Sequence, residues 1–476
     1  MKRFWLLALL AGSLAVITAP VSAKMTEGDD AGSSQSDDLA QFQDDVNTGL
    51  GALTSRVAAI EKMMIEVHGF AELDSIFDTT QMGLGTETIG DNGGIPKPGS
   101  QAGDNGEAQF SPRNSRIDFL AQTSVDGWLT KGYLEGDFLG INNGPNGAAV
   151  TTGTTATGVG GSELKEYTQP TFRIRHAYLD AQKDGWDLMA GQYWTLYGWN
   201  MDYVLATVDV SPIMGTLYER TPRIGVMKTF GGDLQAQIAV DAERPEQAIS
   251  GIPNYNAGIR FILNDMKAQF AYATGASKLS ALSIGISGTM REYAYGATAP
   301  NYAYKYLQGQ GIAIDTLIPI LPTTDLKDDA NLVATGEWTA GSGVADALNG
   351  MSGGLGANPG STGTLDPGIV GVRAGNLTLV DTQSWNAQLQ FHLPKSAGTF
   401  FTLGYGEVFS DNLAFVGGTY NDVNGMFANV MEDFTPNVRV GLEYARFDEH
   451  FTGTYGNVTG PNDLDHRIQF STWYRF

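Results

Sequence analysis

The sequence predicts an all-β protein: a transmembrane antiparallel β-barrel of about sixteen strands, with a short N-terminal α-helical coiled coil. Three observations predict this class. The chain opens with an export signal, it ends on an amphipathic strand, and short and long connectors alternate between segments with a period of two residues.

The N-terminus has the pattern of a secretory signal. Lys2 and Arg3 precede an apolar run over 4–17, and the small residues Val21, Ser22 and Ala23 form a cleavage site. The alternative is a membrane anchor, but the run is too short to span a membrane and no basic segment follows it. We therefore expect a signal peptide over 1–23.

The C-terminal residues alternate strictly between two faces. From Ile468 to Phe476, every second residue is apolar, aromatic or Thr, and the residues between them are mostly polar or charged. This ending resembles the closing strand of bacterial outer-membrane barrels, which predicts that Phe476 is read by the barrel-insertion machinery. The alternative is a buried strand of a soluble sandwich.

Period-two segments fill the chain from residue 66 onward. They are 66–77, 115–124, 127–138, 171–182, 186–192, 222–230, 233–240, 255–263, 279–292, 306–319, 330–338, 380–393, 399–408, 424–434, 437–447 and 465–476. A further candidate, 266–273, is assigned to a long inner turn, because a barrel with both ends on one side needs an even number of strands.

The connectors between these segments support a barrel. Short ones carry turn residues, as in Asp126-Gly127 and Asp184-Gly185. The long ones are rich in Gly, Asn and Thr and lie near 78–114, 139–170, 193–221, 241–254, 293–305, 339–379, 409–423 and 448–464. A soluble sandwich has no reason to alternate connector lengths, so we predict a barrel over 66–476.

The segment before the barrel divides into two parts. Residues 24–36 are polar and predict a disordered tether. Residues 37–65 predict a periplasmic coiled-coil helix, because apolar residues recur there at heptad positions, with Gln43 as an exception. The seam residues are Leu39, Val46, Leu50, Leu53, Val57, Ile60, Met64 and Val67. An amphipathic helix lying on a domain surface is the alternative; a coiled coil implies an oligomer.

Composition excludes several classes of function. The 52 acidic residues outnumber 29 basic ones, and the net charge of −23 argues against a nucleic-acid partner. The absence of cysteine excludes zinc thiolate sites and cysteine nucleophiles. The five histidines are scattered, and neither a nucleophile elbow nor a phosphate-binding loop occurs. We therefore expect no catalytic residue, no metal site and no cofactor.

Charged residues on the predicted inward faces are the main candidates for a site. They are Arg116, Arg173, Arg175, Arg223, Arg291 and Arg439, with the acids Asp118, Glu135 and Asp137. The arginines could form a ladder that selects anions, or they could pair with the acids and brace the wall. The adjacent Arg173 and Arg175 favour the ladder, because unpaired neighbours repel. We place His176 on the outer face, in an aromatic girdle with Ile174 and Tyr178.

The connector at 193–221 is unusually rich in aromatic and apolar residues. This composition predicts a loop that folds into the lumen as a constriction, and a latch between subunits is the alternative. The residues expected to face the pore are Trp199, Asp202, Tyr203, Asp209 and Arg220.

Four motifs carry a resemblance to a known family. They begin at Pro112 (PRNSRI), Tyr133 (YLEGDF), Arg173 (RIRHAY) and Ala190 (AGQYW). The chain resembles the DcaP-like outer-membrane porins most strongly over 110–197. This resemblance implies a homotrimeric sixteen-stranded channel with a periplasmic coiled coil that takes dicarboxylates and other anions. It also implies that Arg116, Arg173 and Arg175 are pore residues.

The expected function is passive, moderately selective diffusion of small polar solutes, with anions such as dicarboxylates favoured. The expected location is the bacterial outer membrane, among its lipid and lipopolysaccharide, with the N-terminal helix in the periplasm. An outer-membrane enzyme built on the barrel and a secreted β-rich adhesin or binding protein are the alternatives from other classes.

Overall fold

The computed structural model describes the barrel and most of its short connectors. The described residues are 41–50, 64–82, 95–96, 98–140, 171–199, 203–205, 207–209, 213–245, 250–272, 274–275, 277–295, 305–324, 330–350, 370–373, 376–394, 398–412, 420–451 and 462–476. The predicted signal peptide and tether, and Asp202, lie outside them.

The chain divides into two compact units, Met1–Glu61 and Lys62–Phe476. In the first unit, residues 41–50 are helical and their side chains are exposed, so the coiled coil stays a prediction. Its predicted end at residue 65 is wrong: Met64 and Ile65 belong to a strand, because their backbone pairs with a neighbouring strand at Gln122 and Ala121. No helix among the described residues is long and apolar enough to cross a membrane.

The second unit is built from antiparallel strands. The strands before the middle of the chain are β1 (Met64–Asp78), β2 (Glu107–Ser111), β3 (Arg116–Val125), β4 (Trp128–Gly140), β5 (Thr171–Lys183), β6 (Trp186–Trp194), β7 (Arg220–Gly231), β8 (Leu234–Glu243) and β9 (Asn254–Phe270). The remaining ones are β10 (Lys278–Tyr295), β11 (Lys305–Leu321), β12 (Asn331–Ser342), β13 (Val370–Arg373), β14 (Asn376–Leu379), β15 (Asp381–His392), β16 (Phe400–Ser410), β17 (Tyr420–Asp433), β18 (Val438–Phe451) and β19 (Asn462–Arg475). A short 3₁₀-helix spans Ala345–Ala347.

The sheet closes on itself through β1. One edge of β1 pairs with β19, and its other edge pairs with β3 near Phe70 and with β2 near Asp74. Strands β2 and β3 therefore share one position in the wall, and β13 and β14 form a separate hairpin. The described strands make a closed sixteen-stranded antiparallel barrel, which confirms the predicted fold class.

Two predicted boundaries are wrong. The long connector at 78–114 contains β2, because Glu107–Ser111 pairs with the upper half of β1. Residues 266–270, assigned to an inner turn, extend β9 instead. Residues 267–270 pair with β10 beyond a register shift at Ala281/Leu282, and such a bulge lets a strand continue although its alternation is interrupted.

The two faces of the wall differ in polarity. On β19, Ile468, Phe470 and Tyr474 are exposed on the outside, whereas Arg467 and Gln469 are buried on the inside. The same alternation places Ile224 outward and its neighbour Arg223 inward. We call the barrel rim that carries the long connectors the loop end, and the opposite rim the turn end.

An apolar core lies inside the barrel. Its centre is the segment between β6 and β7, residues 195–219, which we call the inner loop. Tyr197, Met214 and Leu217 of this loop are buried with residues of the 343–380 connector, such as Leu348, and with inward residues of the wall, such as Phe427. The barrel is thus partly filled by its own chain.

Candidate pore site

Glycines on the inward face of the wall receive the inner loop. The Trp199 ring lies against Gly258 and Gly285, where an added Cβ would come within 2.9 and 2.7 Å of it. Gly311 faces Tyr197 and Gly441 faces Val208 in the same way. A side chain at these positions would collide with the loop, so the glycines set how closely the loop approaches the wall.

Polar contacts fix the same loop. The Val208 N–H donates to Glu443 at 2.8 Å, and the Leu217 N–H donates to Glu337 at 2.7 Å. Asp209 forms an ion pair with Arg467 at 3.2 Å. Trp199, Tyr203 and Asp209, three of the predicted constriction residues, are therefore buried inside the barrel.

Two of the candidate arginines are held by acids of the neighbouring strand. Arg173 donates two hydrogen bonds to Asp137, at 2.9 and 2.7 Å. Arg175 donates to Glu135 at 2.7 Å and to Asp137 at 3.0 Å. Two carboxylates thus hold two guanidiniums in fixed, charge-assisted geometry.

Arg116 and Arg220 differ from this pair. Within the described part of the chain, neither forms an ion pair, and Arg116 Nε and Arg220 Nη1 are buried without a hydrogen-bond partner. Arg220 lies over the rings of Trp194 and Tyr218, at 4.9 and 5.7 Å from their centroids. Arg116 lies over Phe70 at 5.4 Å.

The four arginines act on one another electrostatically. Arg220 interacts with Arg116, Arg173 and Arg175, and Arg116 interacts with Arg175. Three acids, Glu72, Glu135 and Asp137, interact with Arg116, whereas Asp118 is hydrogen-bonded to His68 at 3.1 Å. The four guanidiniums of this arginine cluster (Arg116, Arg173, Arg175, Arg220) therefore outnumber the three carboxylates by one.

The predicted outward position of His176 is wrong. The ladder between β4 and β5 shifts register, with Glu135 opposite His176 and Gly136 opposite Ile174, so Arg175 bulges out of the pairing. A bulge reverses the facing of every residue beyond it. His176 is consequently 5 % exposed and lies on the inner side, with its ring centroid 5.4 Å from that of Trp194. Tyr178 follows it inward, against Tyr193.

The remaining predicted arginines are inward and paired. Arg223 binds Asp241, and Arg439 binds Asp433 near the turn end. Arg291 binds Asp346 and Glu219, each at 2.8 Å. Arg291 therefore ties the 343–380 connector to the end of the inner loop.

The sequence reasoning missed Arg467 and Arg260. Arg467 is 0 % exposed and binds Asp78 of β1 as well as Asp209. Arg260 lies over the Trp199 ring at 4.6 Å. Both residues occupy positions whose side chains point inward in the period-two alternation of their strands. That alternation could have identified them from the sequence. Lys131, Tyr178, Asp180, Trp194, Trp199 and Arg260 contribute to the lining of a cavity of about 350 Å³ beside the inner loop.

Comparison with known proteins gives a structural likeness only. No protein-family model matches the sequence, and no curated protein matches it. The crystal structure of the outer membrane channel DcaP of Acinetobacter baumannii matches 87 % of this chain and 98 % of its own, with a TM-score of 0.57 and 16 % identity. The chain has the fold of DcaP.

That likeness confirms, at the level of the fold, the resemblance carried by the four motifs. More distant matches include an anion-selective porin from Comamonas acidovorans, with 8 % identity, a TM-score of 0.47, and coverage of 87 % of this chain and 100 % of its own. Salmonella typhi OmpF in complex with daunomycin has 12 % identity, the same TM-score of 0.47, and coverage of 87 and 97 %.

Proposed function

We propose that the protein is a non-enzymatic porin of the bacterial outer membrane that lets small polar solutes diffuse passively and favours anions. A closed barrel leaves no unpaired strand edge, which is what a lipid environment demands of a spanning sheet. The apolar outer face suits lipid and lipopolysaccharide, and the polar inner face suits a water-filled path.

The arginine cluster carries the anion preference. Arg116 and Arg220 have donors that no described residue satisfies, and Arg173 and Arg175 are kept in place by Glu135 and Asp137. The paired arginines thus brace the wall and the unpaired ones are free to receive a solute. Guanidinium groups hold carboxylates through paired, charge-assisted hydrogen bonds.

The acidic total does not oppose this preference. Charges on exposed connectors are screened beyond roughly 8–10 Å at physiological salt. An ion within the lumen responds mainly to the nearest wall charges, where the effective dielectric constant is lower than in bulk water. The net charge of −23 is therefore the wrong quantity for selectivity.

Dicarboxylates are the solutes that we propose first. Arg116 and Arg220 both interact with Arg175, so unpaired donors lie on two different strands, β3 and β7, around one centre. Two separated guanidiniums suit a solute with two separated carboxylates. The motif resemblance to DcaP-like porins points to the same class of solute.

The assembly follows from the two ends of the chain. We propose a homotrimer held in the periplasm by a coiled coil that starts at residue 37, and insertion of the barrel through recognition of Phe476. We also propose that Trp199, Tyr203 and Asp209, which are buried inside the barrel, narrow the path; the same role for Asp202 stays a prediction from the sequence.

The test is the reversal potential across a planar bilayer in a KCl gradient. We expect an anion-selective wild type, and a potential close to zero for Arg116→Ser with Arg220→Ser. Arg446→Ser is the matched control, because Arg446 is half exposed and bound to Asp448, outside the cluster. A cation-selective wild type, or a double variant with the wild-type potential, would refute the anion preference.

A solute measurement extends the test. Succinate added to one side should reduce the chloride current of the wild type, because it competes for Arg116 and Arg220. The double variant should show little reduction. Equal reduction in both proteins would remove these two arginines from the binding site.

A further inference from the structure

A row of aromatic rings follows the inner side of β5 and β6. The ring centroids of Tyr218 and Trp194 lie 4.8 Å apart, and those of Trp194 and His176 lie 5.4 Å apart. The Tyr193 ring follows at 4.9 Å from His176, and the Tyr178 ring at 4.9 Å from Tyr193. We call these five residues the aromatic row.

The aromatic row connects two parts of the lumen. At one end, Arg220 of the arginine cluster lies over the Trp194 ring. At the other end, Tyr178 and Tyr193 contribute to the lining of the cavity of about 350 Å³, together with Trp199 of the inner loop. The row thus links the arginine cluster to this cavity, which lies nearer to the turn end.

Polar side chains complete the lining of the cavity. The Gln182 amide donates to Asp180 at 2.9 Å and to Asp187 at 3.1 Å, and Lys131 lies 3.4 Å from Asp180. Arg223 contributes a guanidinium from β7. The cavity therefore offers hydrogen-bond donors and acceptors beside aromatic rings.

The charges around the cavity cancel. Its lining has three cationic side chains and two carboxylates, and a third carboxylate, that of Asp241, is bound to Arg223. The cations are Lys131, Arg223 and Arg260, and the acids of the lining are Asp180 and Asp187. A cavity without net charge does not favour an ion, so it suits a neutral solute, in contrast to the arginine cluster.

One buried donor and one buried acceptor of the lining are unmatched. Arg223 Nε and Asp180 Oδ1 have no hydrogen-bond partner among the described residues, and Asp180 is 5 % exposed. The neighbouring Asp187, while ionised, competes for donors and supplies none. A buried polar group without a partner costs free energy, which a ligand can remove by accepting from one atom and donating to the other. A hydroxyl group does both.

We propose that this cavity binds a neutral monosaccharide in its pyranose form. The faces of a pyranose ring carry C–H groups, which pack on the electron-rich faces of aromatic rings, and its edge carries hydroxyl groups. The volume of about 350 Å³ lies at the lower end of the range for small-molecule sites. A flat aromatic solute would leave the polar lining unmatched. The proposal rests on the proposed porin function, because the solute must enter the lumen, but not on the anion preference.

The test is the reduction of KCl conductance by D-glucose in planar bilayers, with sorbitol as the reference solute. Sorbitol has nearly the same size but no ring, so it has no C–H face to place on an aromatic side chain. We expect a saturable reduction with glucose, and with sorbitol only the unsaturable reduction that follows from viscosity. Equal concentration curves for the two solutes would overturn the proposal.

Variants of Tyr178 test the role of the aromatic row. Tyr178→Leu removes the ring and should raise the glucose concentration for half-maximal block roughly fivefold, whereas Tyr178→Phe keeps the ring and should resemble the wild type. Tyr255→Leu is the matched control, because Tyr255 lies on the outer face and is 48 % exposed. Wild-type block in Tyr178→Leu would contradict the proposal.

A second variant covers the case in which Tyr178→Leu does not fold. Asp187→Asn keeps the shape of the side chain and removes a charged acceptor, so it should also raise the half-blocking concentration; an unchanged value overturns the proposal.

The sugar site and the anion preference fail separately. The glucose block should persist in the double variant Arg116→Ser with Arg220→Ser. An anion-selective wild type without a glucose block overturns the sugar site alone, and a glucose block in a channel without anion preference supports the sugar site and refutes the anion preference alone. A protein that forms no channel refutes the porin function and the sugar site together.

Discussion

The indole ring of Trp199 occupies the space that a side chain at Gly285 would need: a Cβ there would lie 2.7 Å from Trp199 Cδ1. Gly258 on the adjacent strand completes the recess, and Arg260 covers the ring from its face. Trp199 also has a φ of 45°, a left-handed conformation that a non-glycine residue adopts only when its surroundings hold it. The position of the inner loop thus depends on two glycines of the wall.

Gly285→Ala should displace Trp199 toward the lumen and narrow the pore. The added methyl group cannot fit while the ring stays in place, so the ring must move away from the wall. We expect a smaller single-channel conductance in planar bilayers. Gly132→Ala is the matched control, because a Cβ there has nothing within 4 Å. Unchanged conductance of Gly285→Ala would mean that Trp199 does not limit the path.

Arg467 should contribute far more to stability than Arg446. Arg467 is buried and binds both Asp78 and Asp209, whereas Arg446 is 37 % exposed in its side chain and binds Asp448. Arg467→Met removes the guanidinium that binds the buried carboxylates of Asp78 and Asp209, which costs about 3–5 kcal/mol. Arg446→Met should cost about 1 kcal/mol or less. Urea unfolding in detergent measures both, and equal losses would contradict this ranking.

The strand pattern was predictable because the wall has two environments. Outward residues must be apolar and inward ones polar, so every strand shows the alternation, and the predicted sixteen segments correspond to the described strands. The helix end at residue 65 was not predictable, because the heptad seam runs on through Met64 and Val67. These residues are apolar and serve equally well in β1.

The site was less predictable for a related reason. The bulge at Arg175 arises because Glu135 of β4 pairs with His176 and the next residue, Gly136, pairs with Ile174, and no local pattern in RIRHAY marks it. The inward facing of Arg173 and Arg175 could be predicted from the period-two alternation alone. Their ion pairs with Asp137 and Glu135 could not, because those depend on the register between β4 and β5. The glycines facing the inner loop were a readable signal, since Gly285 lies between the β-branched residues Ile284 and Ile286 in β10.

The coiled-coil prediction can be tested on a peptide of residues 37–61. Residues 41–50 are helical, and the heptad seam continues through Leu53, Val57 and Ile60. We expect helicity by circular dichroism to rise with peptide concentration, because isolated helices of this length are marginal without partners. A peptide with Leu53→Ser and Ile60→Ser should stay unfolded. Coil at high concentration in the parent peptide would refute the coiled coil and leave the barrel unaffected.

Phe476 should be required for barrel assembly but not for export. Its N–H donates to the Gly69 carbonyl at 3.0 Å, and the Gly69 N–H donates back at 3.1 Å, so this residue joins the last strand to the first. Its ring lies over Gly69, where a Cβ would come within 2.8 Å of it.

Deletion of Phe476, or Phe476→Asp, removes the apolar end of the closing strand. We expect the protein to be depleted from outer membranes and to lose heat-modifiable migration on gels, while cleavage of the signal peptide continues. Phe434→Asp is the control, because Phe434 is also exposed but lies between β17 and β18. Normal outer-membrane levels of the deletion variant would show that neither the seam nor the insertion machinery depends on Phe476.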